Sequence, residues 1–370
     1  MRKYIYQYDS WPKFTWDTAT LAQALSDCRL LQGRVLGRLD ALGFSLREST
    51  TVAALTNEIV TSSEIEGERL DAEKVRSSIA QRLGVKTAGL SASGKGGPAS
   101  AHDVEGVVEL MLDATRNFAQ PLTAQRLFGW HAALFPTGYS GLRSIVVAGW
   151  REGEMQVVSG PIGKESVHYE APPPELIPAE MNRFLEWFNG DARIDPLLKA
   201  GLAHFWFVII YPFDDGNGRL ARALTEMLLA RSDGSADRYY SMSAAMLAQR
   251  KGYYASLNSA QFSSGDVTEW LLWFVSCLSQ ALHTSMMALN AVENRAEFWS
   301  RHAGVELNLR QQKVIGLLLE DFAGKLTTSK WARLTKVSHD TALRDIKDLI
   351  AQGILEQEPG GGRNTSFRLK

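Results

Sequence analysis

The stretch YPFDDGNGRLAR, residues 211–222, has the composition of a loop that holds an anion. Gly216, Asn217 and Gly218 can bend the backbone so that successive N–H groups point into one concavity. The residues that follow, RLARALTEMLLAR, predict a helix whose positive end faces the same place. The sequence therefore predicts an anion-binding nest at the N-terminus of a helix.

Arg219 and Arg222 indicate the kind of anion that this nest would bind. They are three residues apart, so they project from one side of the predicted helix, close to the end where the helix dipole disfavours cations. Asp215, just before the nest, supplies a hard oxygen ligand of the kind that suits Mg²⁺ bridging phosphate oxygens. Two arginines, a nest and a carboxylate together predict a site for a nucleoside diphosphate or triphosphate.

We disfavour two other interpretations of this stretch. One is a helix–loop–helix corner whose charges are solvated. The other is the dinucleotide fingerprint G-x-G-x-x-A, which GNGRLA matches if residues 204–213 are a strand, but Pro212 and two acids do not suit a tight strand-to-helix turn. A second stretch, residues 89–100, is small, polar and glycine-rich, which predicts a mobile loop. Its Lys95 lacks the G-x-x-x-x-G-K-[ST] order, so we disfavour a phosphate loop there.

The composition is that of a soluble globular protein with two or three domains. The chain has 370 residues, 45% of them hydrophobic and 22% charged, with a net charge of −1, so no bulk field attracts it to nucleic acid or membrane. Cys28 and Cys277 are far apart and lack metal-type spacing, which fits a reducing compartment. No signal peptide or membrane-spanning run is evident. We expect a cytoplasmic protein without structural zinc or disulfides.

Helical periodicity dominates the chain up to about residue 300. It runs from Leu21 to Arg82 with a break at Gly43, and it returns on both sides of residues 142–174, whose Val, Ile, Tyr and Gly content predicts a β-hairpin. The last segment predicts helix, helix, turn, helix and a Gly-rich hairpin, the order of a winged helix-turn-helix. We therefore predict three domains, at residues 1–100, 101–300 and 301–370.

The loop resembles the signature of a known family. The Fic (Fic/Doc) family of protein adenylyltransferases carries H-x-F-x-[DE]-G-N-G-R-x-x-R, and residues 211–222 match every fixed position except the first. The stretch HFWFVIIYPF is similar to the family's preceding helix, and EMQVVSGPIGKESVHYEAPPP is similar to its target-docking flap. The resemblance covers nearly the whole chain. It implies a mainly α protein, with a Fic-type helical bundle, a β-hairpin flap and a C-terminal winged helix-turn-helix.

The resemblance also implies an activity and a role for each motif position. AMP from ATP would be transferred to a Ser, Thr or Tyr hydroxyl of a target protein that docks on the flap near residues 155–174. The implied roles are magnesium binding for Asp215, a cradle for the α and β phosphates in Gly216, Asn217 and Gly218, contacts with the phosphate tail for Arg219 and Arg222, and support beneath the loop for Phe213.

Residues 61–68, TSSEIEGE, resemble the family's inhibitory motif [ST]-x-x-x-E-[GN] through Ser62, Glu66 and Gly67. Gly67 is a natural helix terminator, which leaves Glu66 in a last helical turn where a negative charge is disfavoured and favours a cation nearby. The resemblance implies that this cation is Arg222 and that the ion pair obstructs the γ-phosphate. We therefore predict autoinhibition from the N-terminal side. In some family members the same glutamate serves AMP removal, and both directions stay open.

Tyr211 stands where the family has its catalytic histidine. A Tyr side chain has an ordinary pKa of about 10 against roughly 6.5 for His, so about one molecule in a thousand carries the phenolate near neutral pH. Three explanations stay open: a weak or specialised enzyme, a nucleotide-binding regulator that has lost transfer, or a substitution made to trap a bound state. His204 lies two helical turns upstream, so we predict a structural role for it, and we assign none in catalysis to His131.

The second class of hypothesis places the function in the C-terminal segment. Ser338 would cap a recognition helix, and Gly360, Gly361, Gly362 and Arg363 would form the wing of a DNA-binding domain over residues 338–370. Three acids in that helix, Asp340, Asp345 and Asp348, would repel a phosphate backbone. Winged helices also dock proteins, so DNA, a protein partner and a homodimer stay open.

Overall fold

The computed structural model describes residues 3–85, 99–159, 166–191, 193–319, 322, 324–359 and 365–370. The chain forms two compact units, Met1–Ser285 and Met286–Lys370. The predicted glycine-rich loop with Lys95 lies mostly outside the described residues. None of the helices in the described part of the chain has the length and apolar character that crossing a bilayer requires.

The first unit is mainly α, as the sequence predicts. Short 3₁₀ helices lie at Ile5–Gln7 and Pro174–Leu176. The α-helices are α1 (Thr18–Asp40), α2 (Phe44–Ile65), α3 (Ala72–Leu83), α4 (Ala99–Arg116), α5 (Ala124–Leu134), α6 (Ile177–Asn189), α7 (Pro196–Ile210), α8 (Asn217–Asp233), α9 (Met242–Ala248), α10 (Arg250–Ala260) and α11 (Thr268–Arg301), the last of which continues past the unit's end.

Two antiparallel hairpins interrupt these helices. The first pairs β1 (Tyr139–Ser140) with β2 (Arg143–Ser144), and the second pairs β3 (Gln156–Ser159) with β4 (Ser166–Glu170). The prediction of one hairpin over residues 142–174 is therefore wrong in extent. The reason is that backbone N–H groups between the two hairpins bond to the loop after α7 instead of to a partner strand.

Helices α7 and α8 form the centre of the first unit and lie on either side of residues 211–216. The Asp195 side chain caps α7 by accepting from the N–H of Leu197 at 2.8 Å, with Pro196 at the first helical position. From Leu197 to Ile210 every residue except Lys199 and Val208 is buried, as expected for a helix that is apolar almost all round and lies in the middle of a bundle. It also removes the strand that the dinucleotide interpretation requires.

The N-terminal segment packs against the helical core and the second hairpin. The Tyr4 ring contacts Tyr169 of β4 edge to face at 5.1 Å between centroids, and it stacks on Phe262 at 5.0 Å. Further along, the indole N–H of Trp11 donates to the Glu180 carboxylate at 2.9 Å. The aromatic residues that precede α1 are thus part of the unit's folded structure.

The second unit contains α12 (Leu309–Leu318), β5 (Leu326–Thr327), α13 (Thr328–Thr335), α14 (His339–Ala351), β6 (Leu355–Gln357) and β7 (Ser366–Leu369). These elements follow the predicted order, with β5 as an additional strand in a sheet ordered β5-β7-β6. The Ser338 hydroxyl caps α14 by accepting from the N–H of Thr341 at 3.3 Å, as predicted. The predicted wing glycines and Arg363 lie outside the described residues. The core comprises Phe298, Val314, Ile315, Leu326, Trp331, Ala342, Ile346, Leu349, Ile354, Leu355 and Phe367.

Candidate functional site

The loop between α7 and α8 begins with a residue in an uncommon backbone conformation. Tyr211 follows the last turn of α7 with φ 52° and ψ 58°, in the left-handed region that bulky side chains rarely adopt. Arg151 holds it there: its side-chain Nε donates to the Tyr211 carbonyl at 2.8 Å, and its backbone N–H donates to the Pro212 carbonyl at 2.9 Å. The segment before the second hairpin therefore fixes the start of the loop.

The end of the loop is closed by Asn217. Its side-chain oxygen accepts from the Phe213 N–H at 3.0 Å, and its side-chain nitrogen donates to the Phe213 carbonyl at 2.7 Å. Gly216 has φ +79°, and a Cβ on it would lie 2.9 Å from the ring of Phe135. Only glycine fits this position without strain, and the closed loop leads directly into the N-terminus of α8.

Phe213 and His131 support the loop from below. The fully buried Phe213 ring stacks on the His131 imidazole at 4.3 Å between centroids, and His131 Nε2 donates to the Asp215 carbonyl at 3.2 Å. Burial lowers the pKa of His131 to about 4, so the ring is neutral near pH 7. This histidine acts as a neutral donor to the loop.

The two loop acids accept several hydrogen bonds. Asp215 accepts from the Gly216 N–H at 2.6 Å through Oδ1 and from the Ser140 hydroxyl through Oδ2. Asp214 accepts from the Val146 N–H at 2.9 Å. Within the described residues no three His, Cys, Asp or Glu side chains converge as a metal cage. A magnesium ion at Asp215 would therefore need phosphate and water oxygens for its remaining ligands.

The two arginines of α8 are buried and face the end of α2. Arg222 donates through Nε to the Ser62 hydroxyl at 2.8 Å and through Nη2 to Glu66 Oε1 at 2.8 Å. Arg219 donates through Nη1 to Glu68 Oε2 at 2.7 Å and lies over the Phe135 ring. Among the described residues, Nη1 of Arg222 and Nε of Arg219 have no hydrogen-bond partner, so donors remain for an added anion.

The Glu66 carboxylate lies directly against the first turn of α8. A Cβ on Gly218 would be 2.0 Å from Glu66 Oε1, so only a glycine at this position leaves room for the carboxylate. The negative charge thus lies at the positive end of α8, where an anionic ligand would also bind. The structure brings Ser62 and Glu66 into contact with Arg222, which lies 160 and 156 residues further along the sequence.

Helix α2 ends in a geometry that fixes this carboxylate. Gly67 has φ +87°, its N–H donates to the Glu64 carbonyl at 3.0 Å, and the Glu68 N–H donates to the Ser63 carbonyl at 3.0 Å. These two bonds form a Schellman motif, as expected for a glycine that terminates a helix. Arg250 Nη2 also donates to the Ile65 carbonyl at 2.8 Å. The end of α2 is therefore fixed by hydrogen bonds to its backbone as well as by the ion pairs of Glu66 and Glu68.

A buried acid holds the middle of α2. Glu58, 1% exposed, accepts from the Ser241 hydroxyl at 2.7 Å and from the Ser243 N–H at 2.9 Å, at the N-terminus of α9. A carboxylate is favoured at a helix N-terminus because it faces unpaired N–H groups and the positive end of the dipole. This contact fixes α2 against the first unit about two turns before Glu66.

A cavity of about 550 Å³ opens beside the Glu66 carboxylate and Gly218. The second hairpin, the last turn of α7 and α10 form its walls, with several aromatic and aliphatic side chains. Its volume and mostly apolar character suit a small molecule with a flat ring system. The remaining lining residues are Val157, His168, Tyr169, Val208, Ile209, Tyr211, Tyr253, Tyr254, Ala255, Leu257, Asn258 and Gln261.

Tyr211 is poorly suited to act as a base in this cavity. Burial is the largest cause that raises its pKa above the usual 10, and the negative charges of Glu66 and Asp215 raise it further. Arg219 and Arg222 do not offset this rise, and the net shift of the Tyr211 pKa is upward. The phenol stays protonated near neutral pH.

His204 has the structural role that the sequence predicts. It is fully buried, with Nδ1 3.0 Å from the Thr225 hydroxyl oxygen and Nε2 2.9 Å from the Tyr253 hydroxyl oxygen. Because Thr225 donates its own hydrogen to the Ala221 carbonyl, Nδ1 of His204 is the donor and Nε2 accepts from Tyr253. Burial lowers the His204 pKa to about 3, which keeps it neutral. It does not replace the missing base.

Several residues that touch the site are not predicted from the sequence. Arg151 and Ser140 bond to the loop from the segment around the hairpins, and Phe135 lies between Gly216 and Arg219. Glu68 comes directly after Gly67, the last residue of the inhibitory motif, and an acid in that position can be recognised in the sequence. The other three give no local signal, because only the folded chain brings them to residues 211–222.

Two segments of the chain match known families. Residues 121–229 match the Fic/DOC family, and residues 4–85 match a domain of unknown function, DUF4172. The protein adenylyltransferase fic-1 of Caenorhabditis elegans is 34% identical over 96 residues, which cover 25% of this chain and 17% of that protein. Protein adenylyltransferase Fic of Drosophila willistoni is 32% identical over 119 residues, covering 32% and 22%. The chain thus matches less than a quarter of these relatives' length.

Solved structures share the fold. A Fic family protein from Desulfovibrio desulfuricans superposes with a TM-score of 0.56 at 20% identity, covering 97% of this chain and 98% of that one. Residues 134–508 of Fic-1 from C. elegans give a TM-score of 0.52 at 19% identity, covering 74% and 76%. The fold is that of a mainly α protein whose glycine-rich loop leads into a helix N-terminus. The chain carries a Fic/DOC family domain.

Proposed function

We propose that this protein is an autoinhibited protein adenylyltransferase whose transfer step is slow because Tyr211 replaces the base. It would bind ATP with Mg²⁺ at residues 213–222 and transfer AMP to a hydroxyl of a target protein. The observation that carries the proposal is the contact of Glu66 with Arg222 at 2.8 Å, directly against the first turn of α8. Glu66 thus occupies the N-terminus of α8, the position that a phosphate would take.

The residues present fit a nucleotide with its metal. The cavity beside Gly218 would take the base and sugar. The guanidinium nitrogens of Arg219 and Arg222 that have no partner in the described part of the chain would meet phosphate oxygens. Asp215 would hold Mg²⁺, which neutralises charge on the phosphates and orients them when it is bound. Gly216, Asn217 and Gly218 present the backbone at the helix N-terminus, where phosphates bind readily.

The transfer itself needs a proton acceptor. The target hydroxyl oxygen would form a bond to the α-phosphorus, the bond from that phosphorus to the bridging oxygen would break, and pyrophosphate would leave. The hydroxyl proton must move to a base or to solvent. Because the Tyr211 phenol keeps its own proton near neutral pH, it offers no such base, and the step would be slow. Nucleotide binding does not depend on this proton.

The second hairpin supports a docking surface for the target. Val157, Val158 and Val167 are 37–48% exposed on β3 and β4, an unusual density of exposed β-branched residues on two short strands. A strand edge with such side chains favours an extended segment that adds to it. Tyr169 ties β4 to the site, because its hydroxyl donates to the Ile209 carbonyl at 2.6 Å. We propose that the target segment lies along this hairpin, beside the cavity.

Replacing Glu66 tests the proposal. The Glu66→Gly variant is expected to bind ATP with Mg²⁺ about tenfold or more tightly than the wild-type protein, since a competing negative charge leaves the helix N-terminus and frees Arg222. Isothermal titration calorimetry measures the dissociation constant directly. It needs neither a target protein nor a working base.

Glu64→Gly is the matched control for this variant. Glu64 is an exposed acid in the last turn of the same helix, so its replacement removes the same charge and costs at least as much helix propensity as the replacement of Glu66, which caps the helix. Its ATP affinity is expected to equal that of the wild-type protein. Equal affinity in Glu66→Gly and Glu64→Gly would contradict the proposed inhibition.

The alternative function is that of a catalytically impaired nucleotide-binding regulator acting through the second unit, and one observation favours it. Asp345 is buried and accepts from Arg310 Nε at 2.8 Å, so this acid is paired with a cation and does not repel a phosphate backbone, contrary to the prediction. Arg344 and Lys347 are exposed on α14. This helix therefore offers two exposed cations to a groove of DNA, beside the exposed Asp340 and Asp348.

A gel-shift titration of the full chain against mixed-sequence duplex DNA checks the alternative. If α14 binds phosphates, the affinity falls as salt rises, and replacing Arg344 and Lys347 by Gln lowers both the affinity and the salt slope by about two charges. Replacing the exposed Arg76 of α3 by Gln serves as a charge control in the first unit. A DNA affinity that does not change with salt, or with the Arg344 and Lys347 replacements, would rule out phosphate contacts by α14.

A further inference from the structure

The first arginine of the motif has an acid of its own. Glu68 Oε2 lies 2.7 Å from Nη1 of Arg219, beside the pair that Glu66 makes with Arg222. The Arg219 side chain is 6% exposed, and it is also covered by the Phe135 ring. Both arginines that face the candidate phosphate site are therefore engaged by α2 and the residues that end it.

The fold places these two acids together. Glu66 and Glu68 flank Gly67, and the Schellman bond from the Glu68 N–H to the Ser63 carbonyl turns the chain back so that Glu68 stays beside the helix end. On α8 the two arginines are three residues apart and share one face. Two acids two residues apart thus meet two arginines one helical turn apart.

We propose that Glu68 is a second inhibitory residue, which determines how strongly the site favours a nucleotide with a long phosphate tail. This inference rests on the proposed function. While Glu68 holds Arg219, release of Glu66 frees only one of the two guanidinium groups. The nucleoside part of a ligand occupies the cavity without meeting Arg219. The inhibition by Glu68 therefore acts on the phosphates and leaves the nucleoside unaffected.

The two acids differ in strength for a physical reason. The Glu68 side chain is 47% exposed and that of Glu66 is 34% exposed, while Arg222 is 1% exposed. A partly solvated ion pair contributes less than a buried one, and salt screens it more. Glu66 is consequently the main obstacle and Glu68 a weaker, salt-sensitive one, whose effect is clearest once Glu66 is removed.

The test is a calorimetric comparison of four proteins: wild type, Glu66→Gly, Glu68→Gln and the double variant. Each is titrated with ATP and with adenosine in the presence of Mg²⁺. Adding Glu68→Gln to Glu66→Gly is expected to tighten ATP binding about two- to fivefold, the range for loss of one partly exposed ion pair, and to leave adenosine binding unchanged. Adding Glu64→Gln to Glu66→Gly is the matched control, with no expected change for either ligand.

The outcomes separate this inference from the proposed function. If Glu66→Gly gains ATP affinity and Glu68→Gln adds nothing, the inference is overturned and the proposed function stands. An equal gain for ATP and adenosine also overturns it, because the effect then does not act on phosphates. If ATP binds to none of the four proteins, both the inference and the proposed function fail. Thermal unfolding without ligand verifies that each variant is folded, and the exposed Glu68 side chain makes the glutamine variant mild.

Discussion

The Tyr211→His, Glu66→Gly double variant is expected to transfer label from α-labelled ATP to protein about 10²–10⁴-fold faster than Glu66→Gly alone. An imidazole with a pKa near 6.5 would accept the hydroxyl proton at neutral pH, whereas the buried phenol keeps its own. The measurement is the initial rate of label incorporation into the protein itself and into added lysate protein. Both proteins in this comparison carry Glu66→Gly, so that their affinities for the nucleotide are equal.

Two further measurements make this prediction specific to the base. Tyr211→Phe in the Glu66→Gly background removes the phenol and keeps the ring, so its rate should equal that of the Tyr211 protein. The histidine variant should gain rate up to about pH 7 and then level off, because its base is deprotonated above that pH. In the protein that retains Tyr211, any base-dependent rate should keep rising through pH 9, since the raised pKa of the phenol lies above that pH. No transfer by the double variant would refute the adenylyltransferase proposal.

Arg151→Met is expected to lower the stability of the first unit by about 3 kcal/mol, because each buried carbonyl that loses its donor costs about 1–3 kcal/mol. The Arg151 side chain is 2% exposed and donates to the carbonyls of Tyr211, Gly153 and Pro172. For a unit of this size such a loss corresponds to a fall of about 6–10 °C in the unfolding midpoint. Scanning calorimetry measures it.

The same variant should weaken nucleotide binding more than a general loss of stability explains. Arg151 fixes the carbonyl of Tyr211 in a left-handed conformation, and the loop that follows leads to the helix N-terminus. In the Glu66→Gly background, Arg151→Met should raise the ATP dissociation constant at a temperature where the unit remains folded. Arg76→Met, at an exposed position of α3, is the control for both measurements. An unchanged midpoint would show that the three carbonyls need no buried donor.

The local signals in the sequence are strong wherever a residue acts through its own segment. Ser338 caps α14, as its residue type and its position before the helix predict. The all-apolar run of α7 likewise predicts a central helix. The hairpin region fails because its backbone N–H groups find partners on the distant loop after α7, which no local pattern reveals.

For the candidate site, residue types and their spacing predict the parts: a glycine-rich loop, two arginines on one helix face, an acid before a helix-ending glycine, and a tyrosine in the first position. Each follows from chain geometry within a few residues. The folded chain alone shows that Glu66 and Glu68 meet Arg222 and Arg219 across about 150 residues, and that Arg151 holds the loop. It also decides that burial and neighbouring acids raise the Tyr211 pKa. The reason is that charge and solvation depend on which segments lie close in space, which residue type and spacing do not specify.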